Sequence, residues 1–190
     1  MRSHPIFYGK TRRNRFDAPD GSYGVLYAGR DLYCAFIETF ARAAGTRTIT
    51  TTALREKSVS ELRATRAMRL IDLTQSGSLL RIGADARLFS GPHAVAQLWS
   101  EALHAHPCKA DGILYASRLD PVRHSIVLFE DRPLKLIELR RQSWFAPGRL
   151  RVELAKIMDH YELQLIETHF AARPKPATKI VQGHIFPEAE

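Results

Sequence analysis

Short strand-like and short helix-like runs interleave along this chain without a regular period, and that irregularity constrains its fold more than any other feature. Residues 23–28 (YGVLYA) alternate and are rich in aromatic and β-branched types, which predicts a strand. Asp31 then reads as an N-cap, with Leu32, Phe36, Phe40 and Ala43 at helical spacing and Gly45 placed to stop the helix. Residues 47–52 (RTITTT) predict a strand, Ser58 or Ser60 a cap for a short helical segment, and residues 69–73 (RLIDL) a further strand. Ser90-Gly91-Pro92 opens a helix running to about His104 and ended by Pro107. Three compact strands are expected at residues 112–116, 125–129 and 135–139, followed by a helix over 150–160 and an apolar segment at 163–166. Residues 15–18 predict one more short strand, closed by the turn signal Pro19-Asp20-Gly21. A doubly wound fold needs strands and helices in strict alternation. This order predicts an α+β fold instead, with a mixed, partly antiparallel sheet and flanking helices.

No repeat, low-complexity tract or linker divides residues 1–190, which reads as one domain with an extended, proline-bearing tail over about 171–190. With 45% hydrophobic residues the chain has the material for a sizeable core. No window approaches the roughly 20 apolar residues of a membrane helix, and the polar start MRSHP lacks a secretory apolar stretch, so a cytoplasmic protein is expected. Cys34 and Cys108 admit one disulfide, though a reducing compartment and two packed thiols account for them equally well.

Charge narrows the partners. Lys plus Arg number 28 and Asp plus Glu 20, so the formal net charge is 28 − 20 = +8. Such a surface favours an anionic partner, whether nucleic acid, acidic protein or phosphorylated small molecule. P-loop, GxGxxG and GxSxG motifs are absent, and His104-x-His106 has no third ligand at a useful spacing, so no metal site is expected.

Chemistry concentrates in residues 10–40, KTRRNRFDAPDGSYGVLYAGRDLYCAFIETF. On periodicity alone, Glu38 reads as a surface partner of Arg42, Arg15 as one member of a solvated basic cluster, and Tyr27 as core. Yet RNRFDAPDGSYGVLYAG followed by AFIETF, and then DGILYASR at residues 111–118, resembles the signature of RES-domain proteins, named for an arginine, a glutamate and a serine. The likeness covers about residues 5–130 and follows the branch with Arg-Phe-Asp rather than Gly-Gly-Arg-Trp. Many members carry a further arginine upstream; the earliest here is Arg2, with no apolar strand around it.

The resemblance implies a fold similar to ADP-ribosyltransferases and NAD as substrate, with no other cofactor. It implies catalytic roles for Glu38 and Arg15 and substrate contacts from Arg15, Tyr27, Ser117 and Phe16, with Arg118 a neighbour of the pocket. Breaking the nicotinamide–ribose bond develops positive charge on the sugar, which suits a fixed carboxylate such as Glu38. Arg15 would fork onto diphosphate or ribose, Tyr27 would wall and orient nicotinamide, and Ser117 would hydrogen-bond substrate rather than attack it. The acceptor of ADP-ribose is water, phosphate or a protein side chain; free NAD breakdown is the favoured reading and mono-ADP-ribosylation of a protein the alternative. RES proteins are commonly bacterial toxins held inactive by a cognate antitoxin, which an acidic segment against the +8 surface would suit. Nucleic acid then enters only through the antitoxin, and no membrane is involved. The rival classes are a basic nucleic-acid-binding module, motivated by Lys10, Arg12, Arg13 and Arg15, and an interaction protein with a dead site.

Overall fold

The computed structural model describes residues 5–43 and 45–167. The expected tail lies outside them. Strand β1 (Val25–Gly29) leads into helix α1 (Leu32–Phe40), followed by β2 (Thr48–Thr50), α2 (Thr51–Arg55), β3 (Ser58–Ala64) and β4 (Leu70–Asp72). Helices α3 (Ser78–Ile82), α4 (Arg87–Ser90) and α5 (His93–Ala105) precede β5 (Gly112–Ala116), β6 (His124–Phe129) and β7 (Leu136–Ser143); α6 (Arg149–His160) and β8 (Gln164–Ile166) complete the order. This is an α+β fold.

The principal sheet has the order β1-β6-β5-β4, antiparallel across its first two pairings and parallel between β4 and β5. Two-residue side-chain alternation divides its residues between two faces. Val25, Ile113, Tyr115, Val127 and Phe129 pack with Leu88, Ala96 and Leu103 from α4 and α5. Leu26, Leu114, Ile126 and Leu128 pack with Leu134, Leu62 and Leu136 on the opposite side. The second face is therefore covered by the antiparallel β3–β7 ribbon, which carries an irregularity at Glu61/Leu62. A third cluster joins Phe36 and Ile37 of α1 to Leu54, Trp144, Leu150, Leu154 and Ile157. Burial of each such side chain stabilises by roughly 1.5–3 kcal/mol.

Asp31 caps α1 as expected, accepting from the Cys34 amide at 2.8 Å. The helix is so close to β1 because of Gly29. A Cβ there would collide with the Ala35 backbone, so only glycine lets the strand turn directly into the helix.

Four sequence expectations are corrected. Helix α1 ends at Phe40, where the Ala41 amide bonds the Ile37 carbonyl, and Gly45 (φ +79°) belongs to the following loop. Residues 15–18 form a turn rather than a strand, because buried Asp17 accepts from the Arg13 and Asn14 amides and folds the backbone over its own side chain. The segment from Ser58 is strand β3, its β-propensity satisfied by pairing with the distant β7. Cys34 is buried and Cys108 exposed, both as free thiols, so only one of the two is a packed core group.

Candidate active site

Four segments meet beside the C-terminal end of β5. Glu38 lies one turn beyond Cys34 on α1, along the helix edge that faces the sheet; Cys34 is fully buried with Sγ 3.3 Å from Ser125 Oγ on β6. Ser117 follows β5 and is 1% exposed. Its hydroxyl donates to Glu38 Oε1 at 2.6 Å and accepts from the Leu119 and Asp120 amides at 3.1 and 3.4 Å. Its amide donates to the Arg123 carbonyl at 2.8 Å, so both the turn and the hydroxyl are fixed. Glu38 Oε2 has no hydrogen-bond partner among the described residues.

Arg15 projects from the N-terminal turn. Nη1 donates to the carbonyls of Leu88 and Gly91 at 3.2 and 2.9 Å, while Nε and Nη2 donate to no group among the described residues. Partial burial lowers its basicity, as does the charge of Arg118; Tyr115, Glu38 and Tyr27 act in the opposite sense. Arg15 is thus within electrostatic reach of all four. Helix α5 holds the turn from outside: His93 Nδ1 bonds the Arg13 carbonyl at 2.9 Å, Gln97 Nε2 those of Arg12 and Asn14 at 3.0 and 2.9 Å, and Ser100 Oγ that of Phe16 at 2.8 Å.

The Tyr27 hydroxyl donates to Asp17 Oδ1 at 3.0 Å and accepts from the Phe16 amide at 2.8 Å. Burial, then the Asp17 charge, pushes its ionisation far above the ordinary tyrosine range, so it remains a neutral phenol. Phe16 is fully buried, with its ring edge-on to Tyr115 at 4.7 Å. It lies in the core behind the site, with none of its surface exposed. Of the residues expected to act, Glu38 and Ser117 are in direct contact, and Arg15 lies within electrostatic reach of Glu38 and of Tyr27. Arg42 does not pair with the Glu38 carboxylate; its Nε bonds the Glu38 main-chain carbonyl at 2.5 Å.

Sequence reasoning missed Asp17 and Tyr115. Asp17 also accepts from Thr11 Oγ1 at 2.5 Å and organises the turn that carries Arg15. Tyr115 stands two residues before Ser117, near the end of β5, and that alternate spacing was the available signal. Burial raises its ionisation well above the usual range, and the nearby Glu38 charge adds to this. A shallow cavity of about 160 Å³, lined by Ile37, Ala41, Leu119, Tyr161 and Leu163 among others, touches none of the proposed chemical groups. His104 is stacked on Tyr23 at 3.8 Å and bonded to Asp131. No cluster of three or more potential metal ligands occurs among the described residues. No helix among them is long and apolar enough to cross a membrane.

Comparison with protein families adds the decisive observation: the model of the RES domain matches residues 2–150. The chain belongs to the RES domain family. The RES match spans the Arg15 turn, β1, α1 and the Ser117 turn, which are the segments that build the site. A relative described as "Probable toxin y4kH", from Sinorhizobium fredii (strain NBRC 101917 / NGR234), is 31% identical over 114 residues, covering 60% of this chain and 86% of that protein. No solved structure matches this RES protein.

Proposed function

We propose that this RES protein is the toxin of a toxin–antitoxin pair and that it depletes NAD by cleaving the nicotinamide–ribose bond. The observation that carries the reading is the Ser117–Glu38 hydrogen bond of 2.6 Å, which holds one carboxylate oxygen and leaves Oε2 for an electron-poor sugar. Departure of nicotinamide leaves an oxocarbenium-like ribose, and a preorganised negative charge beside it lowers that barrier without reorganising at the moment of reaction.

Arg15 would bind the diphosphate through Nε and Nη2, since Nη1 is committed to Leu88 and Gly91. Tyr27 would contribute its ring rather than its hydroxyl, which is already committed to Asp17 and Phe16. Ser117 would act through Glu38, as a positioning residue: its hydroxyl donates to the carboxylate and its lone pairs accept from two amides. No histidine is bonded to it, and the carboxylate that accepts its proton is the one the reading assigns to the sugar. The relative's description as a probable toxin supports the toxin reading, and the +8 charge supports an acidic antitoxin segment as the inhibitor.

The test is incubation with NAD, with and without phosphate, followed by chromatography of the products. Nicotinamide should be released with ADP-ribose or its 1-phosphate, and Glu38→Gln should reduce the rate about a hundredfold or more. Arg15→Ala should reduce it as well, and addition of the neighbouring-gene product should suppress it. Full activity in folded Glu38→Gln would refute the site. Radiolabel appearing on a lysate protein, with little free ADP-ribose, would replace NAD depletion by mono-ADP-ribosylation of a protein target.

A further inference from the structure

Several arginines of this protein are held by carboxylates, and those around Glu38 are not among them. Arg66, Arg87, Arg123 and Arg141 each lie against a carboxylate, those of Asp111, Asp85, Asp31 and Glu138. At the candidate site the donors go to main-chain carbonyls instead. Arg118 Nη2 bonds the Arg42 carbonyl at 2.5 Å, Arg42 Nε bonds the Glu38 carbonyl at 2.5 Å, and Arg15 Nη1 bonds those of Leu88 and Gly91. Among the described residues none of these three guanidinium groups forms an ion pair with a carboxylate. With Glu38 the group carries a formal charge of 3 − 1 = +2.

Position adds to charge. Arg118 directly follows Ser117, on the turn locked by the Ser117 hydroxyl, so its Cα is fixed beside the Glu38 carboxylate although its side chain is exposed. Arg15 approaches from the N-terminal turn, and its half-buried guanidinium keeps two nitrogens uncommitted. A half-buried arginine without a counter-ion beside a second arginine is costly unless an anion completes the arrangement. Arginine forks bind phosphate as well as carboxylate oxygens in pairs.

We propose that Arg118 and Arg15 form a two-sided site for a phosphoryl oxyanion next to Glu38, with Arg118 as its exposed jaw. The anion is either the diphosphate of the dinucleotide or the free phosphate that accepts ADP-ribose; both present the same oxygens to the two guanidiniums. The assignment of these ligands rests on the NAD-cleaving reading, whereas the uncompensated charge does not. The competing role for Arg118 is purely structural, as a cation bonded past the C-terminal end of α1.

Calorimetric titration separates these. Wild type, Arg118→Ala and Arg118→Lys are each titrated with ADP-ribose, with inorganic phosphate and with adenosine, and their Tm values are compared. Loss of a charge-assisted contact should weaken ADP-ribose or phosphate about tenfold in Arg118→Ala, leave adenosine unchanged, and be partly reversed in Arg118→Lys. A loss confined to ADP-ribose places the dinucleotide diphosphate at the site, and one confined to phosphate places the acceptor there. Affinities of both anions unchanged within twofold, or an equal loss for adenosine with a lowered Tm, would overturn the proposal. Turnover is scored separately: ADP-ribose binding that depends on Arg118 in a protein that releases no nicotinamide would remove the enzymatic reading and leave the oxyanion site standing.

Discussion

Replacement of Ser117 by alanine tests the centre of the site. One hydroxyl serves three neighbours, donating to Glu38 Oε1 at 2.6 Å and accepting from the Leu119 and Asp120 amides at 3.1 and 3.4 Å. The first is a charge-assisted O–H···O⁻ bond; such bonds contribute about 1.5–3 kcal/mol, and half-buried Glu38 argues for the lower end, about 1.5 kcal/mol. Leaving the better-bonded Leu119 amide without an acceptor costs about 1 kcal/mol more. The total, about 2.5 kcal/mol, lowers Tm by about 5–10 °C in a chain of this size. Thermal unfolding followed by circular dichroism reads that shift directly. A double-mutant cycle with Glu38→Ala isolates the pair, with a coupling of about 1–1.5 kcal/mol expected. In the NAD assay Ser117→Ala should lower kcat and leave KM nearly unchanged, since the hydroxyl acts by orienting the carboxylate. A coupling within about 0.3 kcal/mol of zero would refute the bond. A raised KM at constant kcat would give Ser117 a substrate contact instead.

Three further outcomes follow from the same geometry. Phe16→Ala should destabilise by about 3–5 kcal/mol in urea unfolding, because the ring is wholly inside; a variant of full stability with an altered KM would put Phe16 back at the substrate. The Arg66 fork, at 2.7 Å on both Asp111 oxygens, together with the Arg69 amide holds the Asp111 carboxyl below its ordinary range. The folded value is thus lower than the unfolded one, so this stabilisation is complete above the unfolded aspartate range and disappears as pH falls through the folded value. Unfolding free energies measured from neutral to acid pH should therefore drop less steeply in Asp111→Asn than in wild type; equal slopes would contradict the argument. Burial pushes the Cys34 thiol up while Cys108 is exposed, so native protein at mildly alkaline pH should alkylate at Cys108 and release Cys34 only on denaturation. Rapid labelling of both in the native state, read by mass spectrometry, would contradict the burial.

The parts of this fold legible in the sequence are those governed by neighbours in the chain. Asp31 announces α1 because an N-cap acts over three residues, and the 112–116 and 124–129 strands announce themselves through dense apolar content between turn residues. β3 was illegible for the opposite reason. SVSELRA is a strand only because β7, more than seventy residues later, supplies its partner, and pairing at that range leaves little local trace. The site divides along the same line. Glu38, Arg15 and Ser117 were identifiable from motif residues, but the roles of their atoms depend on the fold. That the Ser117 hydroxyl donates to Glu38, that the Tyr27 hydroxyl is committed to Asp17, and that Phe16 turns inward are consequences of tertiary approach. The short helices α3 and α4 were also missed, being too brief to establish a helical period.

The sheet order carries a consequence for the moment of synthesis. β1 is bonded along its whole length to β6, and the Arg15 turn is held by α5, so the turn lacks its support until α5 is made and β1 lacks its sheet partner until the chain has reached about Phe129. Glu38 likewise waits for Ser117, 79 residues downstream. A nascent chain therefore carries its acidic and basic groups past the ribosome exit in a form that cannot yet assemble the site. The interval between elongation through α1 and completion of β6 is time in which a partner can meet the chain before its chemistry exists.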